Sequence, residues 1–129
     1  MANETLSEQL SHQFTALQLD RVPANVIAAA KLHVLDSLGC VLAGSRLEPG
    51  KLAYDFAAAT SGANAQHSST LFGTMQRAVY LDVVQAMATA AHCGELDDIH
   101  GGAATCIGAM VVPGLIALAE KHGDRKSVV

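Results

Sequence analysis

The chain has 129 residues, half of them apolar and 16% charged, which is length enough for one domain with a core and excludes a disordered chain. It is rich in alanine, with five aromatics and no Trp, a composition that suits close-packed helices better than a sheet of bulky β-formers. A net charge of −4, with no Lys/Arg cluster before the tail, excludes a nucleic-acid surface.

Cys40, Cys93 and Cys106 are odd in number and form no CxxC pair. The N-terminus is polar and shows no signal peptide, so the expected compartment is a reducing cytoplasm.

Residues 5–18 read as an amphipathic helix with Leu6, Leu10 and Phe14 or Leu17 on one stripe and His12 on the solvated side. Thr5-Leu6-Ser7-Glu8 has the form of a capping box. A second helix is expected from Pro23 to about Ala43, with Ile27, Val34, Leu38 and Val41 at helical spacing and Gly44 as a left-handed cap. His33 and Asp36 read as its polar rim. Glu48-Pro49-Gly50 is a turn signal, and Lys51 to Ala59 a short helix with Leu52 and Phe56 inward.

Residues 60–69 (TSGANAQHSS) read as a loop, and residues 70–73 as a short extended piece. A strong helix follows from about Gln76, lining up Val79, Val83, Met87 and Ala90 and leading into His92 and Glu95. Met75, Met87 and Met110 are expected as core filler. The last helix is expected to start around Ala103–Thr105, with Thr105 as N-cap, and to run to Lys121-His122, with Gly123 as its stop and Pro113 as a kink.

Gly101 to Ala119 is uncharged for nineteen residues, close to the roughly 20 a membrane span needs. Four glycines, Pro113 and Thr105 lie inside that run, so a buried core helix is the expectation and no membrane partner is. The class is all-α.

The chemistry concentrates between His92 and Cys106. Glu95, Asp97, Asp98 and His100 lie within six residues, followed by Gly101-Gly102. A helix continued through residue 99 puts His92, Glu95 and Ile99 on one face and His100 in its last turn. Three carboxyls this close repel, which favours keeping one of them protonated as a usable proton carrier. That constellation suits proton transfer at a carbon beside a carboxylate or carbonyl. An acidic helix end solvated at the surface has the same spacing. The glycines fit either a helix stop before an anion-binding N-terminus or a tight corner. Cys106 fits a thiol activated by the helix start or a buried inert one. His92, Glu95, Asp98 and His100 are possible metal ligands, but their spacing matches no HExxH-type motif and no Cys pair is present, so no metal is expected.

AHCGELDDIH followed by GAMVVPGLIALAE resembles the N-terminal helical domain of the MmgE/PrpD family, which includes 2-methylcitrate dehydratase, cis-aconitate decarboxylase and iminodisuccinate epimerase. AAAKLHVLDSLGCVLAG is similar to the family's helix ending in Leu-Asp-(Ser/Thr)-Leu-Gly and Ala-Gly, and Ser69-Thr70-Leu71-Phe72-Gly73 falls where an S-T-x-x-G piece is expected. The resemblance covers roughly residues 6 to 123.

It implies a large helical domain with a smaller α/β lid, a homodimer, and metal-free lyase or isomerase chemistry on small di- and tricarboxylates with no cofactor. Under it Glu95, Asp98 and His100 are the catalytic candidates, and His92, Asp97, Thr105 and Cys106 the substrate-binding ones. Cys106 and Ile107 stand where the family has His-Pro, a departure that counts against the decarboxylase branch and touches the dehydratase and epimerase branches less.

Family members are several times longer, so residues 1–123 are expected to be a partial helical domain ending before the lid, and inactive alone. The last six residues, DRKSVV, are expected to be a non-native tail. The alternative is a non-catalytic helical module that dimerises through its alanine-rich faces.

Overall fold

The computed structural model describes residues 4–60 and 68–123. Most of the loop expected at 60–69, and all of the tail at 124–129, lie outside the described residues. The described chain holds five α-helices, with one small hairpin between the third and the fourth. The all-α expectation holds, with the hairpin as an addition. The chain divides into two compact units between Ala30 and Lys31.

In the first unit, α1 (Leu6–Thr15) starts on the expected capping box. The Thr5 hydroxyl accepts from Glu8 N–H at 3.3 Å, and Thr5 N–H donates to Glu8 Oε2 at 2.8 Å. The helix closes at Thr15, earlier than expected, where Ala16 N–H turns back onto the His12 carbonyl and Leu17 N–H onto that of Phe14. None of its residues is buried, so the Leu6–Leu10–Phe14 stripe is uncovered among the described residues. His12 lies on the surface, paired with Glu4 at 2.8 Å. A 3-10 turn at Leu19–Arg21 and then Pro23 lead into α2 (Ala24–Gly44), whose first N–H groups donate to the Pro23 carbonyl.

The second unit holds the core. From Lys31 onward α2 buries Ser37, Cys40, Val41 and Gly44. Gly44 does not adopt the expected left-handed cap; among the described residues the left-handed glycines are Gly73 and Gly123. Its missing side chain serves a close approach instead, because a Cβ there would stand on the Ala90 carbonyl. By length and composition α2 is long and apolar enough to cross a membrane, whereas the uncharged run from Gly101 is not one helix.

Glu48-Pro49-Gly50, expected as a turn, forms the first turn of α3 (Glu48–Thr60), where a proline lacking its N–H costs no intrahelical bond. Leu52 and Phe56, expected inward, are exposed, and the buried face carries Gly50, Tyr54 and Ala57. Gly50 backs onto the Gly44 carbonyl, a contact that only a residue without Cβ allows, and this fixes the face that α3 turns inward. The Tyr54 hydroxyl donates to the Phe72 carbonyl at 3.0 Å, and burial pushes its pKa up to about 12.

β1 (Ser68–Thr70) pairs antiparallel with β2 (Arg77–Val79), Ser69 opposite Ala78. This pairing takes Arg77–Val79 from the helix expected to begin near Gln76, and α4 (Tyr80–His92) starts four residues later. α4 lies against both α3 and α5 through Val83, Ala86, Met87, Ala90 and Ala91. Of the three methionines expected as filler only Met87 is buried; Met75 and Met110 are exposed. Leu71, Met87, Val41 and Val83 are fully withdrawn from water, as is Pro113, and burying each of the first four is worth about 1.5–3 kcal/mol.

α5 (Ile107–Lys121) carries Pro113 in its buried face and stops at Gly123, which is left-handed as expected. Its C-terminal half is tied to the hairpin. The Ser69 hydroxyl donates to the Ala117 carbonyl at 2.7 Å. Glu120 accepts from Thr70 N–H at 2.8 Å, from the Thr70 hydroxyl at 2.6 Å and from Arg77 at 2.6 Å. Partial burial raises the Glu120 pKa, but the bonds from Thr70 and Arg77 outweigh it and leave the carboxyl below its ordinary value.

Two outcomes are expected. Gly44→Ala should lower stability by about 2–3 kcal/mol through overpacking. Gly39→Ala, where a Cβ meets nothing within 4 Å, should raise it by about 0.5–1 kcal/mol; paired thermal melts check both, and equal shifts would contradict the close approach. For Glu120, a depressed folded pKa means stability that is present above the ordinary carboxylate range and lost as pH falls through the lowered value. Denaturant unfolding over a pH series should therefore show the gap between wild type and Glu120→Gln closing as pH falls, and a pH-independent gap would refute the assignment.

Candidate functional site

α4 ends at His92, not at residue 99 as expected, with Cys93 as its C-cap. Two residues on, Glu95 has a left-handed φ of 50°, a conformation rare for a residue with a Cβ. Its N–H closes back on the His92 carbonyl at 2.9 Å. The break decides which side chains meet. On an unbroken helix residues 92 and 97 would point roughly 140° apart. Here the carboxylate of Asp97 reaches the His92 ring, with Nδ1 at 3.1 Å from each oxygen.

The chain then makes a tight corner. His100 N–H donates to the Thr105 carbonyl at 2.9 Å, and Ala103 N–H returns to the His100 carbonyl at 3.0 Å. Gly101-Gly102 thus sit in a corner rather than at a helix stop, and the left-handed residue of that corner is Ala104, with φ 47°. Ala103 N–H lies 3.1 Å from His100 Nδ1. An N–H can only donate, so Nδ1 is the unprotonated nitrogen and the ring presents Nε2–H.

α5 begins with Cys106 at its N-cap, not with Thr105, and Cys106 makes no side-chain capping bond. The cap comes from Asp98, whose Oδ1 accepts from Gly108 N–H at 2.9 Å. The anion expected at this helix start is therefore the protein's own carboxylate. Gly108 is the residue that admits it, because a Cβ there would strike Asp98 Oδ1 and Ser37 Oγ. The other oxygen of Asp98 lies 3.4 Å from His33 Nδ1. Ser37 is 1% exposed, and among the described residues its hydroxyl has no partner.

The thiol of Cys106 is held protonated rather than activated. Desolvation, then a hydrogen bond to Asp97, then the charges of Asp97, Asp98 and Glu95 all raise its pKa. Cys40 is raised by desolvation and by Asp36, Asp97 and Asp98.

The expected site residues therefore separate. His92, Asp97 and Cys106 come together around one carboxylate, and Asp98 stands beside α2 and α5. Glu95, His100 and Thr105 lie along the loop between them, with Glu95 and His100 exposed and the Thr105 hydroxyl 3.3 Å from Met110 Sδ. The sequence reading missed His33 and Ser37. They are four residues apart on α2 and so share a face, but nothing local shows that Asp98 and Gly108 lie opposite them.

A family model described as MmgE/PrpD N-terminal domain matches residues 8–129. No curated protein and no solved structure matches the chain.

The cap predicts a graded response. Asp98→Ala should cost about 1–2 kcal/mol by orphaning Gly108 N–H, while Asp98→Asn keeps an accepting oxygen and should recover most of that. Denaturant midpoints of the two variants check this, and equal losses would mean that charge rather than the cap is what Asp98 contributes.

Proposed function

From the premise that this chain belongs to the MmgE/PrpD family through its N-terminal domain, we propose that it serves an enzyme that transfers protons at a carbon beside a carboxylate of a small di- or tricarboxylate. Dehydration or epimerisation is the favoured outcome, since Cys106 stands where the decarboxylase branch has a histidine. The observation that carries this reading is the His92–Asp97 pair.

An imidazole whose Nδ1–H points at a carboxylate is fixed in one tautomer, and its Nε2 lone pair is free to take a proton. His92 has that arrangement, with its side chain 59% exposed and Asp97 only 2% exposed behind it. A base that removes the proton needs an acid that protonates the departing hydroxyl. Glu95 is the proton carrier for that role, and His100, with Nδ1 occupied by Ala103 N–H, offers Nε2–H as a hydrogen bond to the departing oxygen. Asp98 orients the start of α5 and Cys106 with it, Asp97 holds the His92 ring from behind, and Thr105 and Cys106 line the substrate side.

Between His92 and Glu120 there is no Lys or Arg, and a polycarboxylate needs such partners. In this proposal they come from another part of the complete protein or from a second subunit of a homodimer, and this chain is inactive without them.

The test uses the protein translated from its complete reading frame, incubated in D2O with citrate, malate and cis-aconitate and followed by NMR. Wild type should exchange or eliminate at a carbon next to a carboxylate. His92→Asn should slow this by about 10²–10⁴-fold, and His100→Ala should slow elimination more than exchange. Wild-type inertness toward all three would end the enzyme reading and favour a non-catalytic helical module. Full activity in His92→Asn would remove His92 as the base.

A further inference from the structure

We propose that the outer face of α5 is a docking surface for a second copy of this chain, the two helices running antiparallel so that Lys121 of each comes to the acidic loop of the other. α5 is apolar on every side. Gly108, Ala109, Val112 and Pro113 face the core, while Ile107, Met110, Val111, Leu115 and Leu118 face water, each 43–69% exposed. A helix that is apolar all round belongs inside a structure and not on its surface.

Area, shape and charge identify what covers it. The five exposed side chains are helical neighbours and present roughly 500 Å² of apolar surface, at the top of what a monomer leaves open. That is well over half of the ~800 Å² that each partner of a standard interface buries. From Ile107 to Ala119 no side chain is charged. Two copies therefore meet here without opposing like charges, although each carries −4 overall.

The face is also self-complementary. Gly114 lies in the middle of the stripe, and a Cβ there would meet only Val84 Cγ1 at 4.0 Å. The packing of the chain gives no reason for a glycine at a position where it costs about 0.5–1 kcal/mol of helix. A second backbone crossing at that point does. Met110 and Leu118 stand four residues either side of Gly114, and Ile107 and Lys121 seven residues either side. A two-fold axis at Gly114 thus sets Met110 of one copy against Leu118 of the other, and Ile107 against Lys121.

Charge selects the antiparallel sense. The start of α5 adjoins Glu95, Asp97 and Asp98, whose charges all bear on Cys106. The Thr105 hydroxyl, 3.3 Å from Met110 Sδ, ties that loop to the edge of the stripe. At the other end Glu120 is matched by Thr70 and Arg77. Lys121 rests on the Tyr80 ring at 3.8 Å and has no ion-pair partner among the described residues. A parallel pair would set basic end on basic end; an antiparallel pair sets the basic end of each helix beside the acidic end of the other. Lys121 then supplies a cation that the His92–Asp97 site lacks. That one consequence rests on the enzyme reading, and the docking itself does not.

The test is sedimentation equilibrium of the 129-residue chain over a concentration series. A monomer–dimer equilibrium is expected. Leu115→Glu and Leu118→Glu should each raise its Kd by at least about tenfold, and Leu52→Glu, at an exposed position on α3, should leave it unchanged. Lys121→Glu and Glu95→Lys should each raise Kd about fivefold, and the two together should restore most of the loss. Far-UV circular dichroism confirms that each variant folds, and Leu115→Glu decides the matter should Leu118→Glu not fold. A monomer at every concentration, a mass that grows past two chains, or a dimer indifferent to both glutamates would overturn the proposal. A dimer without recovery in the charge swap would overturn the antiparallel sense. The readout is mass, so failure here and failure of carboxylate turnover are separate results.

Discussion

The approach of α2 to α4 at Gly44 is the constraint on which the second unit depends. With the Ala90 carbonyl where a Cβ would be, the end of α2 lies closer to α4 at this one point than any side chain allows. Three things follow from that distance. The Cys93 thiol reaches the Gly44 carbonyl at 3.6 Å. Gly50 of α3 stacks on the same carbonyl. Two and three turns earlier on α2, Ser37 and His33 are carried to the start of α5 and to Asp98. A core built on alanine and glycine has little volume to spare, and its stability rests on backbones packed closely enough for dispersion to add up.

The loop from Cys93 to Cys106 is fixed at both ends and strained in between. Glu95 and Ala104 both adopt a left-handed backbone that costs a non-glycine residue of order 1–3 kcal/mol. The bonds that hold them there are His92 to Asp97, Asp98 to Gly108 and His100 to Thr105. Strain held in this way by surrounding contacts is what fixes an imidazole and a carboxylate in one relation rather than letting both sample solvent.

Much of this was readable in the chain. The capping box at Thr5, the stop at Gly123 and the helical class follow from local rules, and the structure keeps them. What local rules could not supply was the identity of the covered face. Leu52 and Phe56 form as good a stripe as Tyr54 and Ala57, and only the neighbour at Gly44 selects between them. The hairpin was missed because three residues of strand carry almost no periodicity. The length of α4 was missed because the break lies at a glutamate, a good helix former, whose backbone is turned by contacts made further along. His33 was read as polar rim because its partner is far away in sequence.

The seats of Gly44 and Gly108 bear on how such a sequence can drift. Most of the surface of α5 and α2 would accept substitution at little cost, yet at these two positions any codon change that adds a side chain collides with a carbonyl or a carboxylate. Their mutational neighbourhoods are almost empty, while Gly39, on the same helix as Gly44, has every small residue open to it. Tolerance in this chain therefore tracks what stands opposite a position and not the residue type written there.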